Sequence, residues 1–144
     1  MSARVRRLGP EDAALAAEAV RRVKETPVDP DSLRRFLSKP ENVLIVAEED
    51  GDPAGLLVAY ALDRVDRDRR MVCLYEIGVL AGKRRRGHAA AMIDALVSWC
   101  RAQGVMKTWV VTDRSNEPAM RLYAATGARP DAGDDVVFVY GPEA

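Results

Sequence analysis

The sequence predicts an α/β (α+β) domain with elements in the order β-α-α-β-β-β-α-β-α-β, and three observations carry that prediction. Apolar, β-branched runs alternate with stretches of helical periodicity along the whole chain. Residues 74–103, LYEIGVLAGKRRRGHAAAMIDALVSWCRAQ, pass from an apolar run through a tight basic loop into an amphipathic helix. At 144 residues, 1–144 is one ordinary domain, long enough for a single sizeable core.

Taken in order, residues 3–8 alternate Val5 with charged neighbours, a short first strand that Gly9-Pro10 ends. Pro10, Glu11 and Asp12 then open an alanine-rich helix to about Lys24, with carboxylates in its first turn and cations in its last. Pro27, Pro30 and Pro40 bracket a second helix over 31–38, whose Leu33, Phe36 and Leu37 form one apolar edge. A strand over 43–48, a turn at Glu49-Asp50-Gly51-Asp52 and a returning strand over 54–62 make a hairpin. The polar residues 63–70 form an exposed connection, and residues 71–80, apolar on both faces, form a central strand. After Gly87, Ala89, Met92, Ile93, Leu96, Trp99 and Cys100 recur at helical spacing, opposite Asp94, Ser98 and Arg101. Gly104 stops this helix and residues 106–112 are another buried strand. Asn116 caps the next helix with Pro118 in its first turn, Gly127 ends it, and residues 136–140 are the last strand.

Composition narrows the function. With 48% apolar and 31% charged residues the chain reads as a soluble globular protein. Its 22 cations balance 22 carboxylates, which disfavours a general nucleic-acid or membrane-surface role. No apolar run reaches transmembrane length and the N-terminal stretch lacks a signal-peptide core, so a cytoplasmic location is expected. Cys73 and Cys100 read as buried thiols, and a single histidine makes a zinc site improbable.

The basic loop carries the chemistry. A helix N-terminus offers unpaired N–H groups and the positive end of its dipole, and Lys83, Arg84, Arg85 and Arg86 precede it directly. With Gly87 allowing close backbone approach, this is a phosphate cradle suited to a pyrophosphate, although Lys83, Arg85 and Arg86 could equally form a solvated turn. No Gly-Lys-Ser/Thr follows the glycine, and only Gly82 and Gly87 are present where a dinucleotide fingerprint needs three glycines.

Arg84-Arg85-Arg86-Gly87-His88-Ala89 fits Arg/Gln-x-x-Gly-x-Gly/Ala and resembles the acetyl-CoA pyrophosphate loop of the GCN5-related N-acetyltransferases, the GNAT superfamily. Asn116-Glu117-Pro118-Ala119-Met120-Arg121-Leu122-Tyr123, continuing to Gly127, resembles the second conserved helix of that superfamily. The resemblance implies a GNAT fold with a single mixed central sheet, and an N-acetyltransferase using acetyl-CoA by direct transfer in a ternary complex. Within it the chain looks most like the aminoglycoside 3-N-acetyltransferases of the gentamicin-resistance type, through Arg7-Leu8-Gly9-Pro10, Ala59-Tyr60-Ala61-Leu62, Tyr75-Glu76-Ile77-Gly78-Val79, Glu117-Pro118-Ala119 and Leu122-Tyr123. It departs from them in carrying Glu76 where they usually have aspartate, and in a less acidic final strand.

The resemblance assigns Glu76 as acceptor of the amine proton and Tyr123 as proton donor to the departing thiolate. From the residues alone, Glu76 could instead pair with an arginine of a neighbouring strand, and Tyr123 could be ordinary core packing. Cofactor-binding positions are Ile77, Val79, Arg84, Arg85, Arg86, Gly87, His88, Ala89 and Asn116, with a bulge at Gly78-Val79 presenting backbone N–H groups to the carbonyl. The His88 side chain itself reads as solvated surface. Asp113, Glu117, Asp134 and Asp135 are the candidates for binding a polycationic small-molecule amine, or else solubilising loop carboxylates. A homodimer is left open. The rival readings are a GNAT enzyme for another small amine or a protein amine, and a CoA-binding sensor without turnover.

Overall fold

The computed structural model describes residues 2–131 and 133–142. Strand β1 (Ala3–Arg7), helices α1 (Ala13–Lys24) and α2 (Pro30–Leu37), and strands β2 (Asn42–Glu49), β3 (Asp52–Leu62) and β4 (Met71–Val79) come first. Helix α3 (His88–Ala102), strand β5 (Lys107–Val110) and helix α4 (Glu117–Ala125) follow. The strands form one mixed sheet in the order β1-β2-β3-β4-β5, antiparallel except for the parallel β4–β5 pair.

Residues 43–47 form a continuous apolar run because both faces of β2 are covered. Val43, Ile45 and Ala47 face Met92, Ile93, Leu96 and Cys100 of α3, while Leu44 and Val46 face Ala13, Ala16 and Ala19 of α1 and Leu33 and Leu37 of α2. Period-two alternation thus sorts one strand between two cores. Small residues allow α1 a close approach: a Cβ on Gly78 of β4 would lie 3.0 Å from Cγ1 of Val23. At the β2–β3 hairpin, Asp50 and Gly51 both have positive φ, 51° and 87°, as a two-residue type I′ turn requires, so Glu49 belongs to the strand and not to the turn.

Three sequence expectations need correction. Residues 136–140 form no strand; Val136, Val137, Phe138, Val139 and Tyr140 are 59–98% exposed. Their β-branched and aromatic composition reports a propensity, but a strand also needs a hydrogen-bonding neighbour, and this segment has none in the sheet. β5 is not buried either. It is a four-residue edge strand with Lys107 and Thr108 exposed and Trp109 and Val110 half-buried. β4 is interior to the sheet, yet only Val72 and Leu74 are buried, and from Tyr75 onward it opens toward solvent. No helix among the described residues is long and apolar enough to cross a membrane.

Candidate active site

β4 and β5 pair only from Met71↔Lys107 to Leu74↔Val110, whereas β4 continues against β3 as far as Gly55↔Val79. The sheet therefore splits, leaving the β5-side edge of β4 unpaired from Tyr75 to Val79 among the described residues. Backbone N–H and C=O groups on such an edge seek partners, and an extended ligand can supply them as an added strand would.

A bulge lies at the mouth of this split. Val58 pairs with Glu76 but Ala59 pairs with Leu74, so Tyr75 is an extra residue on β4. The expected bulge at Gly78-Val79 is corrected by this register, since Leu56↔Gly78 and Gly55↔Val79 are regular. The close fit against Val23 explains the glycine at 78 instead. Tyr75 shifts the phase of β4, so Ile77 and Val79 share the α3-side core with Val72 and Leu74 although Leu74 and Ile77 are an odd number apart. Glu76 is thereby turned to the α1 face.

There Lys24, the last residue of α1, ion-pairs with Glu76, both side chains being about a third exposed at 37% and 35%. The expected arginine from a neighbouring strand is replaced by a lysine from a helix. Aromatic rings line the same side: Tyr75, 65% exposed, meets Tyr60 edge-on at 5.6 Å, and Tyr60 meets Phe36 at 6.1 Å. Burial, with the nearby Glu76 charge, raises the Tyr60 phenol above its ordinary value. Lys24, Tyr60 and Tyr75 were assigned no site role in the sequence reading. The alternation of aromatic residues with apolar ones in two adjacent strands was the available signal for the two tyrosines.

Tyr123 approaches from the other face. It is half-buried on α4 and packs against the α3-side core together with Ile77, Val79 and Val110. Burial raises its phenol above the ordinary 10, so it keeps its proton at neutral pH. Glu76, on the α1 face, and Tyr123, packed on the α3-side core, thus stand on opposite sides of the sheet. Asn116 caps α4, its side-chain oxygen accepting from the Ala119 N–H at 3.2 Å. Asp113, Glu117, Asp134 and Asp135 are all exposed. Glu117 pairs with Arg121 one turn along at 3.9 Å, and among the described residues no hydrogen bond or ion pair joins these four carboxylates to one another.

The basic loop starts as a 3-10 turn, Ala81–Lys83, and reaches α3 through Arg85 and Gly87, both with positive φ (63° and 82°). A Cβ at Gly87 would meet nothing within 4 Å, and no side chain caps the first turn of α3. The helix N-terminus is therefore open to a ligand on its Gly87 side, which fits a phosphate group. Arg84, though exposed, folds back on the strand end, Nε donating to the Val79 carbonyl at 3.1 Å, and Ala89 is half-buried in the first turn of α3. Arg85 makes no hydrogen bond or ion pair among the described residues; Arg84, Arg85 and Arg86 are all exposed.

The solvated-surface reading of His88 is overturned. His88 is 4% exposed, and its Nε2 lies 2.9 Å from Oε2 of Glu49, itself 3% exposed. The other oxygen of Glu49 accepts from Arg86 at 2.5 Å. Burial acts to raise the Glu49 carboxyl, but the His88 and Arg86 hydrogen bonds outweigh it and hold the group below its ordinary value. Ionised Glu49 makes Nε2 of His88 the donor. Glu49 escaped the sequence reading because it had been assigned to the turn. Its parity with Val43, Ile45 and Ala47 was the missed signal.

The sheet thus splits at an interior strand, a glycine loop leads into the next helix, and Glu76 stands on the α1 face beside the split. The chain belongs to the acetyltransferase (GNAT) family, whose profile matches residues 13–128. It is 26% identical over 114 residues to an uncharacterized N-acetyltransferase of Mycobacterium tuberculosis, a match covering 79% of this chain and 70% of the relative. A crystal structure of an aminoglycoside acetyltransferase from an uncultured soil metagenomic sample superposes with a TM-score of 0.83 at 28% identity, covering 97% of this chain and all of that one. The aminoglycoside N-acetyltransferase AAC(6')-Iy in complex with CoA superposes with a TM-score of 0.78 at 20% identity, covering 98% of this chain and 95% of that one, a likeness of fold.

Proposed function

We propose that this N-acetyltransferase uses acetyl-CoA to acetylate an amine of an aminoglycoside, favouring the 3-amino group, and so acts in antibiotic resistance. The observation that carries the reading is the unpaired edge of β4, with Glu76 on its α1 face and the open α3 N-terminus following its end; Tyr123 packs on the α3-side core across the sheet. Acetyl-CoA supplies the acetyl group as an activated thioester. Glu76 receives the proton that the attacking amine must lose, directly or through one water. Tyr123 holds a proton on Oη for the sulfur as the C–S bond breaks. Ile77 and Val79 orient the extended part of the donor along β4, and Arg85, Gly87 and Ala89 meet its pyrophosphate. Arg84 and Arg86 shape the loop that does so.

The acceptor side is the α1 face, where Tyr60 and Tyr75 form an amphipathic wall beside Glu76. An aminoglycoside is polycationic, and Asp113, Glu117, Asp134 and Asp135 supply negative charge on exposed segments after β5. Support for this acceptor class comes from the soil-metagenome neighbour at 28% identity, and the 3-amino preference rests on the sequence resemblance alone. Mass spectrometry of products formed from acetyl-CoA and gentamicin-like compounds, with the 3-amino group free or blocked, tests both levels. Acetylation lost on blocking supports the 3-amino site, and acetylation elsewhere replaces it. Turnover only with a peptide or simple amine removes the aminoglycoside assignment, and CoA binding without any transfer makes the chain a sensor.

A further inference from the structure

We propose that Glu49 is a positioning residue for acetyl-CoA: its two carboxylate oxygens grip Arg86 and His88, on either side of Gly87, and so fix the loop in the form that receives the pyrophosphate. The inference rests on the reading that this loop binds CoA.

A buried carboxylate needs compensation, and one cation would provide it. Here both oxygens are engaged by residues that bracket a single glycine, reached across 37 and 39 positions of sequence. Gly87 sits at φ 82° with nothing within 4 Å of a would-be Cβ, so no neighbouring group packs against it there, although its carbonyl accepts from the Ala91 N–H at 3.0 Å. Glycine has the widest choice of backbone conformations, and ordering it costs more than ordering any other residue. Arg85 before it also has a positive φ, and no side chain caps α3 after it. The Glu49 contacts thus restrain both sequence neighbours of Gly87, and they do so before a ligand arrives. Lys83 adds its positive charge near the same carboxylate. The contacts leave the Gly87 side of the helix N-terminus uncovered, so the clamp orders the backbone donors without occupying their site. A loop ordered beforehand binds more tightly because the ordering cost is not charged to the ligand.

The test compares two acetyl donors. S-Acetylpantetheine carries the thioester and pantetheine arm but no pyrophosphate, so a loosened phosphate loop should not affect its use. Glu49→Gln should raise the Michaelis constant for acetyl-CoA about tenfold with turnover at saturation changed less than about twofold, while kcat/KM for S-acetylpantetheine stays within about twofold of the parent. His88→Leu should behave similarly, and His88→Gln, whose amide can still donate to Glu49, should recover most of the acetyl-CoA affinity. The His88 pair carries the comparison if Glu49→Gln does not fold. Equal losses with both donors, or an unchanged Michaelis constant for acetyl-CoA, overturn the inference. A parent protein that binds no CoA overturns the reading beneath it, a result distinct from a parent that binds CoA and variants that bind it equally well.

Discussion

Replacing Lys24 by methionine should improve binding of a cationic acceptor. If Glu76 receives the amine proton, an incoming ammonium competes for the carboxylate that Lys24 already holds. Both partners are about a third exposed, at 37% and 35%, so the pair belongs with solvent-screened bridges worth about 0.2–1 kcal/mol, not with buried ones. Up to about 1 kcal/mol is a factor of about five in affinity, so Lys24→Met should lower the acceptor Michaelis constant about two- to fivefold. Methionine keeps most of the apolar stem, leaving the packing of the α1 terminus beside Val23 and Gly78 largely intact. Steady-state CoA release against acceptor concentration, at low salt and again near 1 M salt, reads the effect. The two proteins should converge at high salt, where the screening length falls to about 3 Å. CoA affinity should not change. A Michaelis constant that rises would refute the competition and make Lys24 a direct acceptor contact, and a gain that persists undiminished in salt would refute its electrostatic origin.

Glu76→Gln and Tyr123→Phe should each lower turnover by about a hundredfold with CoA affinity retained, the range expected for proton-transfer groups, and a folded variant with parental turnover removes its residue from the chemistry. Because burial raises the Tyr123 phenol, its proton is present below the ordinary 10 and is lost only above it; a fall in rate through loss of this donor therefore lies on the alkaline side of pH 10. Gly87→Val should weaken CoA binding about tenfold or more, measured by calorimetry, because the left-handed φ is costly for a branched residue and the new side chain enters the open approach to α3.

Elements with local causes were legible in the sequence. The Gly87 loop and the Asn116 cap follow from residue types at short spacing, and β2 and β3 from runs covered on both faces, whereas Pro10–Asp12, read as the first turn of α1, form a separate 3-10 turn before Ala13. What escaped was set by partners distant in sequence. His88 looked exposed as a polar residue at a helix start, yet its partner stands 39 residues earlier in a strand. Glu76 was singled out for being charged in an apolar run, but Lys24 was not, because α1 is rich in exposed cations and only the packing of Val23 on Gly78 brings its last turn to β4. Residues 136–140 mark the opposite error, where local composition promised a strand that the register of the sheet does not include.

The two carboxylates that matter most illustrate how the sheet divides its work. Glu49 continues the parity of Val43, Ile45 and Ala47 and reaches the α3 face, where it holds the loop proposed for the acetyl donor. Glu76 would lie on that same face if β4 ran regularly, since Leu74 is on it and Glu76 is two residues later. Tyr75, the one unpaired residue of the β3–β4 ladder, reverses the phase and sends Glu76 to the α1 face beside Lys24 and Tyr60. The same shift keeps Ile77 and Val79 in the α3-side core and gives Gly78, not a bulky neighbour, the close approach of Val23. Were Tyr75 paired regularly instead of bulged, every side chain from 76 to 79 would exchange faces, placing valine and isoleucine against α1 and a carboxylate in the α3-side core. The bulge is therefore what lets one short strand face the proposed donor site on one side and the proposed acceptor site on the other.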